Sequence, residues 1–457
     1  METKVNPLAT ESIPKLLLKF SVPTTLTLMV NYLYNIVDQI FVGQGVGITG
    51  IAATNISFPF SIVCTALALL IGDGCAAQIS LCLGRKEQQK ANQCFGNAFF
   101  LLIFCGILVV LLGNLFLEKL LLLCGATKTI LPVALQYTRI ILFGLPFMIF
   151  NVAFTAIIRS DGNPQYTMRA MMIGAAINIV LDPVFIFYFH MGVQGAAIAT
   201  ILGQIVSGII CICYIPHFQN ITFQKDTVLL DINTAIMILS LGIPSFITQI
   251  ATACTQIVMN NMMRIYGAAT IYGSDIALSC YGTMMKVYQI AHAMFVGVSS
   301  GTQPINGFNY GAKQYQRVKQ TYSTAIIIAF VISTSWWLIY QIFPAQIARL
   351  FVNHEETQYI LFAVYCYRFY MMAFFVYGLP AVTASFFQAI GKPINALAIS
   401  VSRQILFLIP LAIFLSSHYG LNGALLAAPI ADILAFLFAM VLIVYEWKKW
   451  NEKGFLS

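Results

Sequence analysis

The sequence predicts an all-α membrane protein whose twelve transmembrane helices form two pseudo-symmetric six-helix bundles. The composition, a series of long apolar segments and an internal repeat support this prediction. Of the 457 residues, 59% are hydrophobic and only 9% are Asp, Glu, Lys or Arg, whereas soluble proteins carry roughly 25% charged residues. So few charges could not cover a soluble protein of this size. The composition therefore excludes a cytosolic enzyme, a nucleic-acid-binding protein and a disordered scaffold.

Apolar segments follow one another along the whole chain. Each is longer than the roughly 18 residues that a spanning helix needs, and none alternates with the period of a strand. We therefore predict spans at residues 17–42, 50–80, 93–117, 131–157, 167–189, 193–215, 235–262, 276–303, 321–343, 358–386, 394–416 and 421–446.

The loops between these segments differ in positive charge. Most loop Lys and Arg residues, such as Arg85, Lys90, Arg159 and Lys313, lie in the set of alternate loops that includes both termini. Because cytoplasmic loops carry the excess of Lys and Arg, we expect both termini to be cytoplasmic.

The second half of the chain repeats short strings of the first half in the same order and at nearly constant spacing. Two equivalent sets of six spans that both start inside form a parallel repeat. We predict an N-terminal lobe at residues 1–215, a polar linker at 216–234 with Lys225, Asp226 and Asp231, and a C-terminal lobe at 235–457. The paired strings are Phe20–Pro23 with Leu241–Pro244, Leu83–Lys86 with Tyr310–Lys313, Gly162–Pro164 with Gly391–Pro393, and Gly192–Gly195 with Gly420–Gly423.

Two similar bundles with a cleft between them suit alternating access, in which a rocking motion exposes a midplane site to each side in turn. The sequence contains no GxxxxGK[ST] string and no zinc-binding Cys or His spacing. We therefore expect a secondary transporter with no cofactor, driven by a gradient of H⁺ or Na⁺.

Several longer strings resemble the MATE family, the multidrug and toxic compound extrusion transporters, and most closely its bacterial DinF-like branch. The resemblance covers essentially the whole chain. It implies a twelve-helix V-shaped fold and export of small molecules, driven by H⁺ or Na⁺, across the plasma membrane of a bacterium. We expect a monomer in the lipid bilayer. The strings are Arg159–Pro164, Asn178–Pro183, Gly192–Thr200 and Gly307–Ala312.

Two acidic residues within predicted spans are candidates for the coupling site, because an ionisable group in a bilayer is costly. Asp38 and Asp182 lie at similar depth, and Tyr34 and Asn178 precede them by one helical turn. Two facing carboxylates in an apolar setting cannot comfortably both be ionised, which suits a site that loads and releases a proton. The same oxygens could instead hold Na⁺. Alternatively, Asp182 is a local cap at the Pro183 kink and Asp38 is an interfacial acid.

The resemblance adds roles to this site. In DinF-like proteins a first-span Asp, at a fixed spacing after a Pro, works with the Asp of an Asn-x-x-x-Asp-Pro string. Pro23 and Asp38 match the first feature, and Asn178 and Asp182 match the second. Pro23 is either a bend that responds to protonation or a static proline at the helix start. Further polar partners of the family's site fall at Tyr34, Tyr137 and Thr200.

The second half holds a different set of in-span charges. Its single in-span acid, Asp432, should pair with Lys286 or Arg403 in a structural ion pair, because a buried cation needs an anion. Alternatively, Asp432, Lys286, Arg368 and Arg403 form a charged switch. Asp73 in the first half should also be structural, paired with a basic loop residue.

Two features bear on ions and substrates in the second half. Some MATE branches have Na⁺-binding acids in spans 7 and 10, whereas this chain has neutral residues and Arg368 there. We therefore expect coupling in the first half. A possible substrate cleft comprises Met29, Gln256, Met259, Asn260, Met263 and Met285, since Met adapts to varied ligands; the alternative is plain core packing.

Among functions, an ion-coupled exporter of drugs or other small amphipathic compounds is the leading hypothesis. A flippase for lipid-linked precursors, from the same superfamily, is the alternative, and it would require a strongly cationic cleft. An intramembrane enzyme is disfavoured because no nucleophile–base pair or metal triad is visible. A receptor would leave the internal repeat unexplained.

Overall fold

The chain is almost entirely helical in the computed structural model, which describes residues 7–124, 126, 130–222, 230–350, 357–452 and 454–455. Two residues of the predicted linker, Lys225 and Asp226, lie outside the described residues. The first half contains α1 (Ile13–Val46), α2 (Ile48–Gly84), α3 (Gln88–Leu123), α4 (Leu131–Ser160), α5 (Pro164–Pro183, followed by a π-helical segment Val184–Tyr188) and α6 (Gly192–Ile212).

The second half has the same number of spans, but one of them, α10, is interrupted. It contains α7 (Ile232–Gly267), α8 (Gly273–Gly311) and α9 (Tyr315–Ile342). Next comes α10, formed by Thr357–Tyr370 and Gly378–Ala389, with a bend of 46° at the break after Tyr370. The final helices are α11 (393–419), which includes the π-helical segment Ser402–Leu408, and α12 (421–452); they separate at Gly420, whose φ is 58°.

The structure confirms helices at all twelve predicted spans. Within the described residues, nine helical segments, or ten with the bent α10, are long and apolar enough to cross a membrane. One of the nine, Pro393–Glu452, contains both α11 and α12, and α8 adds a further helix of 39 residues. On α3, an exposed apolar stripe through Phe104, Ile107, Leu111 and Leu115 provides a surface suited to lipid.

The repeated strings adopt the same backbone conformations in both halves. Lys86 and Lys313 have φ values of 61° and 59°, although a positive φ is uncommon for a residue with a side chain. Gly192 and Gly420, another repeated pair, have φ values of 56° and 58°. The similarity between the halves therefore extends from the sequence to the geometry of the helix ends.

The chain divides into two compact units. Unit 1 comprises Met1–Thr10, Val22–Phe246 and Gly307–Lys313, and unit 2 comprises Glu11–Ser21, Ile247–Asn306 and Gln314–Ser457. Each unit thus includes helix ends that belong to the other half of the repeat.

Glycine allows helices of unit 1 to cross at backbone contact. A Cβ atom on Gly242 of α7 would lie 1.7 Å from the Leu70 carbonyl oxygen of α2, and one on Gly74 would lie 2.0 Å from the Ile238 carbonyl oxygen. The ends of α2 and α8 meet in the same way, since a Cβ on Gly84 would lie 2.0 Å from the Phe308 carbonyl oxygen. No larger residue fits at these crossings without displacing a helix.

Candidate functional site

Asp38 and Asp182 meet inside unit 1, where α1 and α5 bring their carboxyl groups into direct interaction. Asp38 is 8% exposed and Asp182 is fully buried. Neither acid is exposed at the protein surface. The alternative interpretation of Asp38 as an interfacial acid concerns its depth in the membrane and stays a prediction.

Four further predicted residues surround the two acids. The Asn178 side-chain amide donates to Asp182 Oδ1 at 3.2 Å and to the Thr200 hydroxyl at 3.4 Å. The hydroxyl groups of Tyr34 and Tyr137 lie within electrostatic range of both carboxyl groups. The structure thus brings all six predicted residues together, from α1, α4, α5 and α6, in a set that we call the acid cluster.

The acid cluster contains more hydrogen-bond acceptors than donors. Asp38 Oδ1, Asp182 Oδ2 and Asn178 Oδ1 are all buried without a hydrogen-bond partner. Buried oxygen atoms are normally hydrogen-bonded, so the acid cluster lacks donors for these three oxygen atoms. A proton or a small cation would complete it. Within the residues that the structure describes, no group of three or more His, Cys, Asp or Glu side chains is arranged to hold a metal ion.

The structure contradicts the alternative interpretations that involve Pro183 and Pro23. No backbone amide of the described residues donates to Asp182, so it does not cap the Pro183 kink; a π-helical segment follows instead. Pro23 lies inside α1, which begins at Ile13, and the Thr27 hydroxyl donates to its carbonyl at 2.8 Å. The interpretation of Pro23 as a helix-start proline is therefore wrong.

A small cavity of about 30 Å³ adjoins the acid cluster, and a site of this size can hold water. It is lined by Tyr34, Asn178 and Thr200 of the acid cluster, and also by Asn151 and Gln204. The side-chain oxygen of Gln204 is buried without a hydrogen-bond partner. Neither Asn151 nor Gln204 was predicted at this site. Their only signal was polarity within an apolar span.

Asp73 forms a structural ion pair in unit 1, as predicted. Its Oδ1 lies 3.7 Å from Arg159 Nη2, and its Oδ2 accepts a hydrogen bond of 2.8 Å from the Ser245 hydroxyl. Arg159 was expected in a loop, but it belongs to the last turn of α4 and is buried.

In unit 2, Asp432 pairs with Arg403, which is one of the two predicted partners. Arg403 Nε donates to Asp432 Oδ1 at 2.6 Å, and the guanidinium carbon lies 4.5 Å from the centre of the Tyr377 ring. Lys286 and Arg368 are exposed and form no ion pair with a described residue. The prediction of a four-residue network is therefore wrong, because these two side chains lie off the buried faces of their helices.

The residues assigned to a substrate cleft differ in burial. Met259 and Met263 are fully buried in the core of unit 2, against Tyr281 and Met284, so their assignment to a cleft is wrong. Their spacing of four residues places both on the packed face of α7. The remaining four are accessible to different degrees: Met285, Met29 and Asn260 are half-buried and Gln256 is exposed.

The profile of the MatE family matches residues 23–184 and 244–414, one segment in each half of the repeat. The chain belongs to the MatE family. Two similar proteins are the probable multidrug resistance protein YoeA of Bacillus subtilis (strain 168) and the multidrug export protein MepA of Staphylococcus haemolyticus (strain JCSC1435). YoeA is 24% identical over 98% of each chain. MepA is 25% identical over 94% of this chain and 93% of its own.

Solved structures agree with this assignment. The MATE multidrug transporter DinF-BH is 33% identical, with a TM-score of 0.88 over 97% of this chain and 98% of its own. An outward-facing multidrug resistance MATE family transporter of the MOP superfamily shares the fold, with a TM-score of 0.89 at 23% identity over 98% of this chain and 100% of its own. The chain is therefore a multi-pass membrane protein and a transporter of the MATE type, not an enzyme.

Proposed function

We propose that this transporter exports drugs or other small amphipathic, often cationic compounds in exchange for an ion, by alternating access. H⁺ is favoured over Na⁺ as the coupling ion. The similarity to YoeA, MepA and DinF-BH, which are described as multidrug resistance, export or transport proteins, supports the substrate class, and the acid cluster supports the coupling. We further propose a monomer in a bacterial plasma membrane, with cytoplasmic termini and no cofactor.

The direct interaction of Asp38 with Asp182 is the observation that carries the proposal. Two carboxylates this close in a poorly solvated setting repel each other strongly, so one proton shared between them stabilises the pair. Loss of that proton leaves an uncompensated charge that Asn178 and the tyrosine hydroxyls can only partly offset. The acid cluster therefore has two states of different energy, which alternating exposure to the two sides of a membrane can use.

The same geometry favours a proton over Na⁺. A proton shared between the Asp38 and Asp182 carboxyl groups needs only these two groups, whereas Na⁺ would need further oxygen ligands around it. Thr200 and Asn178 could supply further oxygen ligands, so Na⁺ remains the specific competitor that an experiment must address.

The flippase alternative receives less support. It requires several unpaired cations that line one cleft to attract phosphate groups. Arg403 is paired with Asp432, which leaves only Lys286 and Arg368 of the three in-span cations considered in unit 2 without an ion-pair partner among the described residues.

The purified protein in liposomes tests the coupling directly. We expect an imposed pH gradient alone to drive uptake of a cationic dye such as ethidium, and a Na⁺ gradient alone to drive none. An Asp38→Asn/Asp182→Asn double variant serves as the inactive control. Uptake driven only by Na⁺ would replace H⁺ in the proposal, and uptake that responds to neither gradient would contradict antiport altogether.

A further inference from the structure

A row of side chains that can form hydrogen bonds follows one face of α6 and continues just past its end. Successive members are four, three, four and three residues apart, a spacing that keeps them on one face of a helix. We call this set the polar row. It begins within the acid cluster, to which its first member belongs. The members are Thr200, Gln204, Ser207, Cys211 and Tyr214.

The first part of the polar row faces the small cavity beside the acid cluster. Thr200, Gln204 and Ser207 line this cavity of about 30 Å³, together with Asn178 and Asn151. A water molecule fits there. Two of the lining residues, Asn178 and Gln204, carry buried side-chain oxygen atoms without a hydrogen-bond partner among the described residues. Water in the cavity would therefore find one acceptor in the acid cluster and another in the polar row.

Hydrogen bonds continue the polar row beyond the cavity. The Asn151 side-chain amide, on α4, donates to the Ser207 hydroxyl at 2.8 Å, and Asn151 Oδ1 accepts from the Cys211 thiol at 3.6 Å. About one turn further, the Tyr214 hydroxyl donates to Asp161 Oδ2 at 2.9 Å. Asp161 directly follows α4. The row thus ends where α4 and α6 end, which is the cytoplasmic end of unit 1 in the proposed orientation.

The last acceptor of the row lies beside the protein surface. The Asp161 carboxylate also accepts hydrogen bonds from the backbone amides of Gln219 and Asn220, at 2.9 and 2.8 Å. Gln219 is exposed. The polar row therefore connects the buried acid cluster with a carboxylate that is held next to exposed residues.

The corresponding face of α12 in unit 2 is mostly apolar. When the halves are aligned on their repeated glycine strings, three positions of the polar row fall on alanine residues that are buried within unit 2. Packing in this architecture therefore needs no hydrogen-bonding group at these positions, so the polar groups of α6 have another role. The pairs are Thr200 with Ala428, Ser207 with Ala435, and Cys211 with Ala439.

We propose that the polar row and its cavity form a proton path from the acid cluster to the cytoplasmic end of unit 1. Water and the hydroxyl groups of the row accept and pass on H⁺, and the Gln204 and Asn151 side chains position them. The step transfers only H⁺ between hydrogen-bonded groups, so it needs no further reactant. This inference rests on the proposed function, because it assumes that the acid cluster carries protons. It separates the route of the proton from that of the exported compound.

Two substitutions of Gln204 distinguish a proton path from a packing contact. Gln204→Leu fills the same space with an apolar side chain, whereas Gln204→Ala enlarges the cavity and admits more water. Gln194→Leu is the matched control, because it makes the same change near the start of α6, away from the residues that line the cavity. Initial rates of ethidium uptake into liposomes under a fixed pH gradient are measured in H₂O and in D₂O. Ethidium affinity in nanodiscs and thermal unfolding are measured for each variant.

We expect Gln204→Leu to lower the uptake rate about tenfold or more, because positioned groups accelerate proton transfer strongly. Its ethidium Kd should stay within about twofold, since the change affects a rate and not substrate binding. The ratio of the rates in H₂O and D₂O should rise, because proton transfer becomes the slowest step. Gln204→Ala should keep at least about half of the rate, although it leaves the larger cavity in the packed structure. Gln194→Leu should change neither the rate nor the ratio.

The opposite order, with Gln204→Ala slower than Gln204→Leu, would show that Gln204 only packs, and it would overturn the proposal. Normal uptake by folded Gln204→Leu would have the same consequence, as would a loss of ethidium affinity that accounts for the lower rate. If Gln204→Leu does not fold, Gln204→Met, which is apolar, flexible and of similar length, carries the test. If the unaltered protein did not respond to a pH gradient, the proposed function would fail together with this inference.

Discussion

Helices α5 and α11 occupy corresponding places in the repeat, yet their buried charged residues have opposite kinds of partner. Both contain a π-helical segment next to an ionisable residue, Asp182 in α5 and Arg403 in α11. Asp182 faces another acid, Asp38, whereas Arg403 faces an acid of opposite charge, Asp432. Segments of π-helix are frequent at functional sites, and here each lies beside the main in-span charge of its unit.

Under the proposed function, this difference explains why the two acids, and not the ion pair, are the candidates for coupling. An Arg–Asp pair is neutral in itself, so it requires no additional ion for charge balance. Two buried carboxyl groups repel each other when both are ionised, and a bound proton or cation removes that repulsion. The same architecture can therefore hold an exchangeable ion in one unit and a permanent ion pair in the other.

Removing either acid of unit 1 should have the largest effect. Asp38→Asn and Asp182→Asn should each lower the rate of gradient-driven dye transport about a hundredfold or more, because Asn keeps the size of Asp but cannot carry a proton. Yield and thermal unfolding should stay close to those of the unaltered protein. The matched control is Asp231→Asn, which removes an exposed acid before α7 and should transport normally. Near-normal transport in either cluster variant would remove that residue from the coupling site.

Breaking the ion pair of unit 2 should instead reduce the amount of folded protein. Asp432→Ala leaves the Arg403 charge without its anion, and breaking a buried pair costs about 3–5 kcal/mol. Membrane yield and the unfolding midpoint should both fall. Adding Arg403→Met to this variant should restore part of the loss, because the unpaired charge is then gone. Normal yield of Asp432→Ala together with lost transport would show that Asp432 acts in the transport cycle.

Loss of the amide that supports Asp182 should have an intermediate effect. Asn178→Leu removes the donors to Asp182 and Thr200 and should lower the transport rate about tenfold, since a hydrogen bond to a charged group contributes about 1.5–3 kcal/mol. Thr200→Val removes only the longer contact of 3.4 Å and should lower the rate less, about twofold to threefold. Initial rates under a fixed pH gradient measure both. The reverse order would mean that Thr200, not Asn178, is the main support.

Substitution of the exposed cations of unit 2 should have the smallest effect. Lys286→Gln and Arg368→Gln should each leave yield and transport within about twofold, because exposed residues without partners rarely change stability by more than about 0.5 kcal/mol. A severe loss of yield in either would restore that residue to the charge network of Asp432.

The helices and the two acids of the acid cluster were predictable from local sequence properties, whereas Tyr137 and Thr200 were predicted only from the family resemblance. Span length and apolarity fix where helices form, and an acid in an apolar segment is conspicuous wherever it lies. The spacing of four residues between Asn178 and Asp182 also reveals a shared helix face without knowledge of the fold. These features need no information about how distant helices pack.

Pairings between distant helices were not predictable in the same way. Lys286 and Arg403 were equally suitable partners for Asp432, and only the packing of α11 against α12 distinguishes them. Met259 and Met263 have the residue type of a binding surface but lie on the buried face of α7. The π-helical segments and the places of Asn151 and Gln204 beside the cavity also depend on tertiary contacts, which short sequence patterns do not record.

The glycine crossings of unit 1 have a consequence for the kinetics of the transporter. Where Gly242 meets Leu70 and Gly74 meets Ile238, one main chain rests directly on another, with no side chain between them that could change rotamer. Such a contact cannot loosen by degrees; it is either formed or lost as a whole. Any movement of α7 against α2 should therefore be all-or-none. Its energy barrier should arise from the breaking of these two contacts between main chains. The single methyl group added by Gly242→Ala would keep the two main chains apart by steric repulsion.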